Sequence, residues 1–469
     1  MALTTKVSVI EQCQISPQPS SVSETSLPLT FIDMLMINSW PANSLYFYEC
    51  SFSKSHFMDT IIPKLKNSLA QTLNHFFILA GKLVIPNLDS DKKPEFVYND
   101  GDSVSLTFSE SCSVELFYDL TGNHARNCSE FRLLATERPP PYVDVSGSTI
   151  SPLLTLQVTL FPETGICIGL NADHVVVDGS SVRAFLQAWA FLSQLDEIST
   201  SSLPSELMPL YDRSVMKETD ELRDIFWNQM KRNKKPEADN QESAPPPPIA
   251  PIENELVQET FVLGKNDVQK LKSFVITGLS LPHISTFTVI CAYIWKCIAT
   301  THATDAVDDP DEEDPVYLFA FSADARGRSK PRIPVNYFGN CIAFCGTTAN
   351  ASQLKGDNGL LVAAELIAEA IHERLQNEEG IFKGAEDWVP SGKIFKQFVG
   401  VSGSPRIDFL CLDFGWGKAK KVELVLNFES GVTFIATGKE PGDVDIGLCF
   451  SNKKMEIFSS LFSDGLKEI

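Results

Sequence analysis

Apolar residues recur at regular spacings along the first half of the chain. From Lys54 to His75 they are three and four positions apart, which predicts an amphipathic helix that Pro63 bends. Residues 153–161 and 165–170 are two runs rich in β-forming residues, separated by a three-residue turn that contains proline, which predicts a hairpin. Helical spacing follows after position 181. The first half is therefore predicted to combine helices with a β-sheet.

A polar, proline-rich segment separates this half from a second one of the same kind. Residues 228–254 have no apolar periodicity and cannot bury a core, so we predict an exposed crossover. Beyond it the pattern predicts a strand and three helices, at 260–263, 265–274, 286–299 and 360–375. The predicted organisation is an N-terminal domain of residues 1–227, the crossover, and a C-terminal domain of residues 255–469, both of the α/β class.

Composition and charge narrow the class of protein. The chain has 469 residues, of which 43% are apolar, and this length is enough for at least two packed cores. A formal net charge of -21 repels polyphosphates and acidic membranes, so nucleic-acid binding is not expected. No apolar run approaches the ~18 residues of a membrane span, and the first residues lack a signal-peptide pattern. We expect a cytoplasmic, monomeric protein without a membrane partner.

Cysteines and acidic residues raise the question of a metal site. The 11 cysteines include no C-x-x-C pair, so we expect reduced, mostly buried thiols and no metal. Cys341 and Cys345 enclose only apolar residues, which favours a buried strand over a metal site. For the acidic run 305–315 we favour a solvated loop, with calcium binding as the alternative.

One histidine stands where a catalytic base could work. His174 follows a predicted buried strand, and Asp178 comes just before the predicted helix. A side chain at that point can project from the end of a sheet into a cleft and accept a proton. The alternative is a strand-end histidine with Asp178 as the helix cap, and the spacing alone does not exclude it. The remaining histidines are interpreted as structural or solvated: His56, His75, His124, His283, His302 and His372.

A second motif, DFGWGK at residues 413–418, interleaves two glycines with two aromatic residues. Glycine on both sides of Trp416 permits a tight turn with close backbone approach, and the rings favour packing. The segment matches neither the phosphate-loop nor the dinucleotide-binding glycine pattern. We predict a structural role for Asp413 and Trp416.

With these two motifs the chain resembles the plant BAHD family of acyl-CoA-dependent acyltransferases. Three further segments, SLPLTFID at 26–33, FSADARGR at 321–328 and YFGNC at 337–341, resemble the subgroup that acylates anthocyanin and other flavonoid glycosides. The resemblance implies two α/β domains related to chloramphenicol acetyltransferase, with a solvent tunnel at their interface. It also implies acyl-CoA as a co-substrate and no permanently bound cofactor.

The resemblance further implies roles for individual residues. His174 would take the proton of a sugar hydroxyl and pass it to the departing CoA thiolate, so that transfer is direct and needs no acyl-enzyme. Asp178 would point away from this base and pair with Arg326. The Ser402 hydroxyl would donate to the tetrahedral oxyanion. Ser404 stands where relatives with small acceptors have a tryptophan, which favours a bulky glycoside.

Cofactor contacts and substrates are implied less specifically. Four residues resemble the segment of the family that contacts CoA, namely Lys270, Lys272, Ser285 and Thr286, with solvated helix lysines and a helix cap as the alternative. Malonyl, acetyl and hydroxycinnamoyl donors all stay open, because Arg183 is slightly displaced from the arginine position of malonyl-using relatives. The expected acceptor is a flavonoid or anthocyanin glycoside. A terpenoid or saponin glycoside, or another alcohol or amine, is the alternative, and a non-catalytic small-molecule binding protein is the remote one.

Overall fold

The computed structural model describes residues 7–37, 39–195, 203–216, 219–234, 256–305, 314–388, 397–426 and 431–469. Its strands are β1 (Ser8–Ile15), β2 (Thr25–Pro28), β3 (Ala42–Glu49), β4 (Lys82–Ile85), β5 (Glu95–Tyr98), β6 (Val104–Glu110), β7 (Arg126–Asn127), β8 (Tyr142–Val143), β9 (Thr149–Pro152), β10 (Leu154–Phe161), β11 (Gly165–Ala172), β12 (Leu256–Leu263), β13 (Val316–Asp324), β14 (Ile342–Asn350), β15 (Gln397–Ser402), β16 (Lys421–Leu424), β17 (Val432–Thr437) and β18 (Val444–Ser451). Its α-helices are α1 (Phe31–Leu35), α2 (Lys54–His56), α3 (Ile62–His75), α4 (Val114–Leu120), α5 (Cys128–Arg132), α6 (Gly179–Gln194), α7 (Thr219–Lys234), α8 (Lys265–Leu279), α9 (Thr286–Asp305), α10 (Ala351–Lys355), α11 (Gly359–Leu375) and α12 (Asn452–Glu468). The α/β class is confirmed.

The strands of the described ranges form three sheets. A six-stranded sheet has the order β1-β6-β10-β11-β3-β16, and a seven-stranded sheet has the order β14-β13-β15-β17-β18-β12-β7. A five-stranded sheet, β2-β5-β4-β9-β8, comes entirely from the first half. The predicted hairpin of β10 and β11 is confirmed, and every residue in both strands is buried. In β10 the apolar residues alternate with Thr155, Gln157 and Thr159, which are buried as well. These polar side chains have hydrogen-bond partners, such as the Thr136 carbonyl for Thr155 Oγ1 at 2.8 Å and the Leu133 carbonyl for Gln157 Nε2 at 2.9 Å.

Helices α3 and α6 join the six-stranded sheet in one hydrophobic core. The Trp189 ring of α6 is fully buried there, and its Nε1 donates to Ser68 Oγ of α3 at 3.2 Å. The single helix predicted for residues 54–75 is divided by a π-helix at Phe57–Ile61, and Pro63 lies in the first turn of α3. The helical path is continuous there, because the Ile62 N–H donates to the Phe57 carbonyl, and the wider π turn comes just before the proline, which has no N–H to donate.

A second core surrounds the seven-stranded sheet and contains α9, α11 and α12. The apolar helix predicted to end near position 299 continues to Asp305, and its middle is buried on all sides. Tyr293 of α9 donates its hydroxyl to the Phe462 carbonyl of α12 at 2.5 Å. The predicted strand 260–263 and helix 265–274 are confirmed as parts of the longer β12 and α8.

Each half contributes one strand to the sheet of the other. β16, from the second half, pairs with β3, and β7, from the first half, pairs with β12. Arg126 of β7 and Glu423 of β16 form an ion pair of 2.6 Å, with side chains 0% and 2% exposed. Gln258 of β12 also donates to Glu423, at 2.7 Å. Sheet membership therefore crosses the predicted domain boundary, and buried polar contacts fix one half against the other.

Two predicted segments lie largely outside the described residues. Helix α7 continues to Lys234, and the rest of the predicted crossover, 235–254, is not described; nor are residues 306–313 of the acidic run. In the described ranges no helix is both long and apolar enough to cross a membrane. Cys341 and Cys345 are buried around the start of β14, and the described residues contain no group of three or more metal-ligating side chains.

Candidate active site

A large cavity lies between the two halves. Its volume is about 2070 Å³, and its walls come from the turn after β11, the start of α6, the ends of β13 and β15 and the start of α9. The predicted site residues that line it are His174, Asp178, Lys272, Ser285, Thr286, Arg326 and Ser402. Within the described part of the chain, its lining does not include Lys270, Asp413 or Trp416.

His174 lies in the turn that connects β11 to α6. The strand ends at Ala172 and the helix begins at Gly179, so the turn places the imidazole at the end of the sheet, on the cavity wall. The ring is half-buried, and its Nδ1 is buried without a hydrogen-bond partner among the described residues. Nε2 is therefore the nitrogen that a molecule in the cavity can reach.

The backbone of this turn is held by an amide from the second half. Asn340 Nδ2 donates to the His174 carbonyl at 2.8 Å and to the Val175 carbonyl at 2.9 Å. Asp33, which is fully buried at the start of α1, orients the amide by accepting from the same Nδ2 at 3.0 Å. Asp33 also accepts from the Thr30 backbone N–H at 2.9 Å, as part of a helix capping box. The position of His174 thus depends on both halves of the molecule.

Asp178 is buried at the cavity wall and pairs with Arg326. The guanidinium donates to both carboxylate oxygens, at 2.7 and 3.1 Å, and both side chains are only 3% exposed. The carboxylate also accepts from the backbone N–H groups of Ser181 and Cys341, so it caps α6 and ties it to β14. Burial disfavours the charged form of Asp178, but the charge of Arg326 and these hydrogen bonds outweigh it and lower the pKa of the carboxyl.

The YFGNC segment, residues 337–341, packs against the Arg326 guanidinium of this ion pair. Arg326 donates to the Tyr337 and Gly339 carbonyls at 3.0 and 2.8 Å, and Arg213 Nη1 donates to the Phe338 carbonyl at 2.8 Å. Gly339 has a φ of +135°, and a Cβ there would lie 2.3 Å from Arg213 Nη1. Only glycine fits, because both the backbone conformation and the space exclude a side chain.

Ser402 is the last residue of β15 and lies on the cavity wall. β15 pairs in parallel with β13 and β17, which brings Ser402 opposite Phe434. The Ser402 side chain is exposed and lines the cavity. Ser404 also lines it, and its Oγ accepts from the Arg406 backbone N–H at 3.2 Å. The two hydroxyl residues therefore lie where a molecule in the cavity can meet them.

Of the four residues predicted to contact CoA, three line the cavity and one does not. Ser285 and Thr286 line the cavity, and Ser285 also caps α9 by accepting from the Thr288 backbone N–H at 3.0 Å. Lys272 lines the cavity, whereas Lys270 is exposed on α8 and is not among the lining residues. Ser285 therefore both lines the cavity and caps α9, so the two interpretations of this residue are compatible.

The DFGWGK loop packs on the first half although it belongs to the second in sequence. Asp413 Oδ1 accepts from the backbone N–H groups of Gly415 and Gly417 at 2.7 and 3.0 Å. Both glycines have positive φ values, +92° and +91°. The Phe414 ring is buried against Trp189 and the half-buried Trp416 ring against Tyr48, with centroids 5.2 and 5.5 Å apart. The loop fixes β16, which follows it, against the six-stranded sheet.

These features, a cavity between two α/β halves lined by a histidine turn and a serine hydroxyl, can be compared with known proteins. The sequence model of the Transferase (BAHD) family matches residues 5–464, almost the whole chain. The chain belongs to the BAHD family of acyltransferases.

Two BAHD relatives and one solved structure illustrate the similarity. A malonyl-coenzyme A:anthocyanin 3-O-glucoside-6''-O-malonyltransferase from Dahlia pinnata is 38% identical over 98% of each chain. A coumaroyl-CoA:anthocyanidin 3-O-glucoside-6''-O-coumaroyltransferase from Arabidopsis thaliana is 33% identical over 98% of this chain and 97% of its own. The crystal structure of vinorine synthase, 17% identical, covers 97% of this chain and 98% of its own with a TM-score of 0.69. The resemblance to glycoside acyltransferases and the two-part α/β fold are thereby confirmed.

The sequence did not indicate several residues that line or support the candidate active site. Asp33 and Asn340 lie inside segments that carry the resemblance, yet nothing in their spacing predicts that they meet at the His174 turn. Arg213 stands in a short 3₁₀-helix with no motif around it, and only the fold brings it to the YFGNC segment. His283, interpreted from the sequence as structural or solvated, lines the cavity just before α9.

Proposed function

We propose that this BAHD acyltransferase transfers an acyl group from acyl-CoA to a sugar hydroxyl of a flavonoid or anthocyanin glycoside, with His174 as the general base. The observation that carries the proposal is the placement of His174: its ring is on the wall of the cavity between the halves, and its buried nitrogen is Nδ1. The relatives from Dahlia pinnata and Arabidopsis thaliana, whose names state transfer to anthocyanin or anthocyanidin glucosides, support the acceptor class.

The proposed reaction is a direct transfer in two proton steps. His174 Nε2 takes the proton of the sugar hydroxyl while the oxygen attacks the thioester carbonyl, which forms the C–O bond and a tetrahedral oxyanion. The Ser402 hydroxyl donates a hydrogen bond to that oxyanion. The intermediate then breaks its C–S bond, and the imidazolium returns the proton to the CoA thiolate. Atoms and charges balance without an acyl-enzyme, and the free enzyme is regenerated.

CoA binding is proposed at the part of the cavity formed by α8 and α9. Lys272, Ser285 and Thr286 supply a cation and hydroxyl groups there, while Lys270 can act only from outside the lining. A local cation is needed because the chain as a whole carries a charge of -21. We further propose that the protein works as a cytoplasmic monomer without a bound cofactor.

Malonyl is the first donor to test among the malonyl, acetyl and hydroxycinnamoyl groups. Arg183 lines the cavity from α6, and its guanidinium is fixed by donation from Nε to the Asp408 carbonyl at 3.1 Å and from Nη2 to Cys411 Sγ at 3.5 Å. A fixed cation on the wall suits the free carboxylate of a malonyl group. The acceptor alternatives, a terpenoid or saponin glycoside or another alcohol, share the same hydroxyl chemistry.

A release assay for CoA thiol tests the proposal. The purified protein is incubated with malonyl-CoA, acetyl-CoA or coumaroyl-CoA, and with an anthocyanidin 3-O-glucoside, a saponin glycoside or the free aglycone. We expect acceptor-dependent thiol release with the flavonoid glucoside, fastest with malonyl-CoA, and acylated glucoside as the product. Faster turnover of the saponin glycoside would move the acceptor to that class, and absence of release with every pair would support a non-catalytic binding protein.

The assignment of Ser402 has a test of its own. Ser402→Ala should lower kcat by at most ~10²–10³-fold and leave the KM for acyl-CoA nearly unchanged, because the hydroxyl acts on the oxyanion alone. Ser402→Thr, which keeps the hydroxyl, should recover much of the loss. A defect confined to the KM for the glycoside would make Ser402 an acceptor-binding group instead.

A further inference from the structure

A second aspartate–arginine pair lies at the other end of the His174 turn. Asp173, the residue before His174, accepts from Arg138 Nη1 through Oδ2 at 2.6 Å. Its other oxygen, Oδ1, accepts from the Val175 backbone N–H at 3.1 Å. One carboxylate thus connects Arg138 to the residues on both sides of the imidazole.

Arg138 is itself fixed to the first half. Its Nη1 also donates to the Pro152 carbonyl at 2.8 Å, and its Nε donates to Asn171 Oδ1 at 3.3 Å. The backbone N–H of Asp173 donates to the Leu153 carbonyl at 2.8 Å. The Arg138 and Asp173 side chains are 19% and 17% exposed, and neither is among the cavity-lining residues of the described ranges. The pair thus lies outside the cavity wall, and its contact with His174 runs through the backbone of the turn.

We propose that Arg138 and Asp173 are positioning residues for His174. The hydrogen bond from the Val175 N–H to Asp173 Oδ1 spans the histidine and restricts its backbone dihedral angles, as side chains of aspartate do in turns. Arg138, which also donates to the Pro152 carbonyl at the end of β9, holds that carboxylate in place. The turn is then fixed at its start by the first half and at its end by Asp178 and Arg326.

Such a constraint matters because general-base catalysis depends on geometry. A misplacement of about 1 Å at a reacting group can cost roughly 10²-fold in rate. Loss of Asp173 should cost less stability than loss of the Asp178–Arg326 pair, because Arg138 is more exposed than Arg326 and keeps the Pro152 carbonyl and Asn171 as partners. The proposal therefore predicts a loss of turnover that is large beside any loss of stability. It rests on the proposed function of His174 as the base.

The test compares Asp173→Ala, Asp173→Asn and Arg138→Ala in the full-length enzyme. We expect Asp173→Ala to lower kcat by roughly 10–10²-fold while the KM for malonyl-CoA changes less than about twofold. Asp173→Asn keeps an oxygen for the Val175 N–H and should recover part of kcat. The double variant of Arg138 and Asp173 should be no slower than Asp173→Ala, because the two residues act as one unit.

A matched control comes from an ion pair of similar burial elsewhere. Lys82 and Asp102 lie 3.2 Å apart with side chains 29% and 20% exposed, and neither lines the cavity. Lys82→Ala should keep the kcat of the wild type. Circular dichroism melts of every variant separate folding from catalysis, and if Asp173→Ala does not fold, Asp173→Asn and Arg138→Ala provide the test.

Two results would overturn the proposal. One is a wild-type kcat in Asp173→Ala, and the other is a kcat loss that comes with an equal rise in KM or a matching loss of folded protein. His174→Ala, measured in parallel, separates this inference from the proposed function. If His174→Ala stays active, the base assignment fails; if it is inactive while Asp173→Ala has normal kcat, only the positioning role fails.

Discussion

The turn 174–178 and the loop 413–418 are both conspicuous in the sequence, but different forces hold them. The turn lies between the halves and is fixed by the buried Asp178–Arg326 pair and by the amide of Asn340. The loop lies on one half and is fixed by its own backbone turn and by the contacts of Phe414 and Trp416. A change in the turn should therefore disturb the junction and the cavity together, whereas a change in the loop should disturb packing alone.

Asp178→Ala should give the largest loss of stability. It leaves the Arg326 guanidinium, 3% exposed, without its carboxylate, and an unpaired buried charge costs ~3–5 kcal/mol. Activity should fall as well, because β14 and α6 lose their shared contact. Urea unfolding and the thiol-release assay measure the two effects. Asp178→Asn, which keeps the size and the helix cap, is the control, and an Asp178→Ala protein that unfolds like the wild type would contradict this account of the turn.

Acidification should also remove the stabilisation that the ionised Asp178 carboxylate gives to the fold, without any mutation. Burial raises the pKa of Asp178, but the charge of Arg326 and the hydrogen bonds from Arg326, Ser181 and Cys341 together outweigh it, so in the folded protein the pKa lies below the ~3.9 of an unfolded chain. A group with a depressed pKa stabilises the fold above the unfolded pKa, and this stability is lost as the pH falls through the folded pKa. The difference in unfolding free energy between wild type and Asp178→Asn should thus be constant near neutral pH and shrink below about pH 4. If this difference in unfolding free energy grows on acidification, the predicted lowering of the Asp178 pKa is wrong.

Trp416→Ala should have a smaller effect, confined to stability. Full burial of an indole would give ~3–5 kcal/mol, but the ring is half-buried against Tyr48 and Phe52, so we expect about 2 kcal/mol. The kcat should stay near that of the wild type at a temperature where the variant is folded. A stable Trp416→Ala protein whose defect lies only in the chemical step would show that the loop belongs with the turn.

Gly415→Ala should have the smallest effect. The residue has a φ of +92°, where a Cβ costs about 1 kcal/mol, and its nearest neighbour would be the Gln194 side chain at 3.5 Å. The thermal midpoint should fall slightly and kcat should not change. Gly417→Ala, at a φ of +91° and with nothing within 4 Å, is the matched control and should behave alike. A much larger loss in one of the two would point to a contact beyond backbone strain.

The sequence predicted local elements better than their contacts. The apolar spacing placed β10, β11 and α6, and hence His174 at a strand end, because those signals are periodic and local. The pairing of Asp178 with Arg326 spans 148 positions and came only from the family resemblance. The exchange of β7 and β16 could not be predicted, since β7 has two residues and pairing depends on the assembled fold. The loop 413–418 belongs to the second half in sequence but packs on the first half, and this contact could not be predicted either.

The central claim is that His174 is the base at the junction of the two halves, and His174→Ala tests it most directly. The measurement is kcat at saturating malonyl-CoA and flavonoid glucoside, with a thermal melt of the same preparation. We predict a fall of ~10²–10⁴-fold with little change in the melting midpoint, because the half-buried ring packs on a cavity wall. A folded His174→Ala protein that retains more than about half of the wild-type kcat would contradict the account.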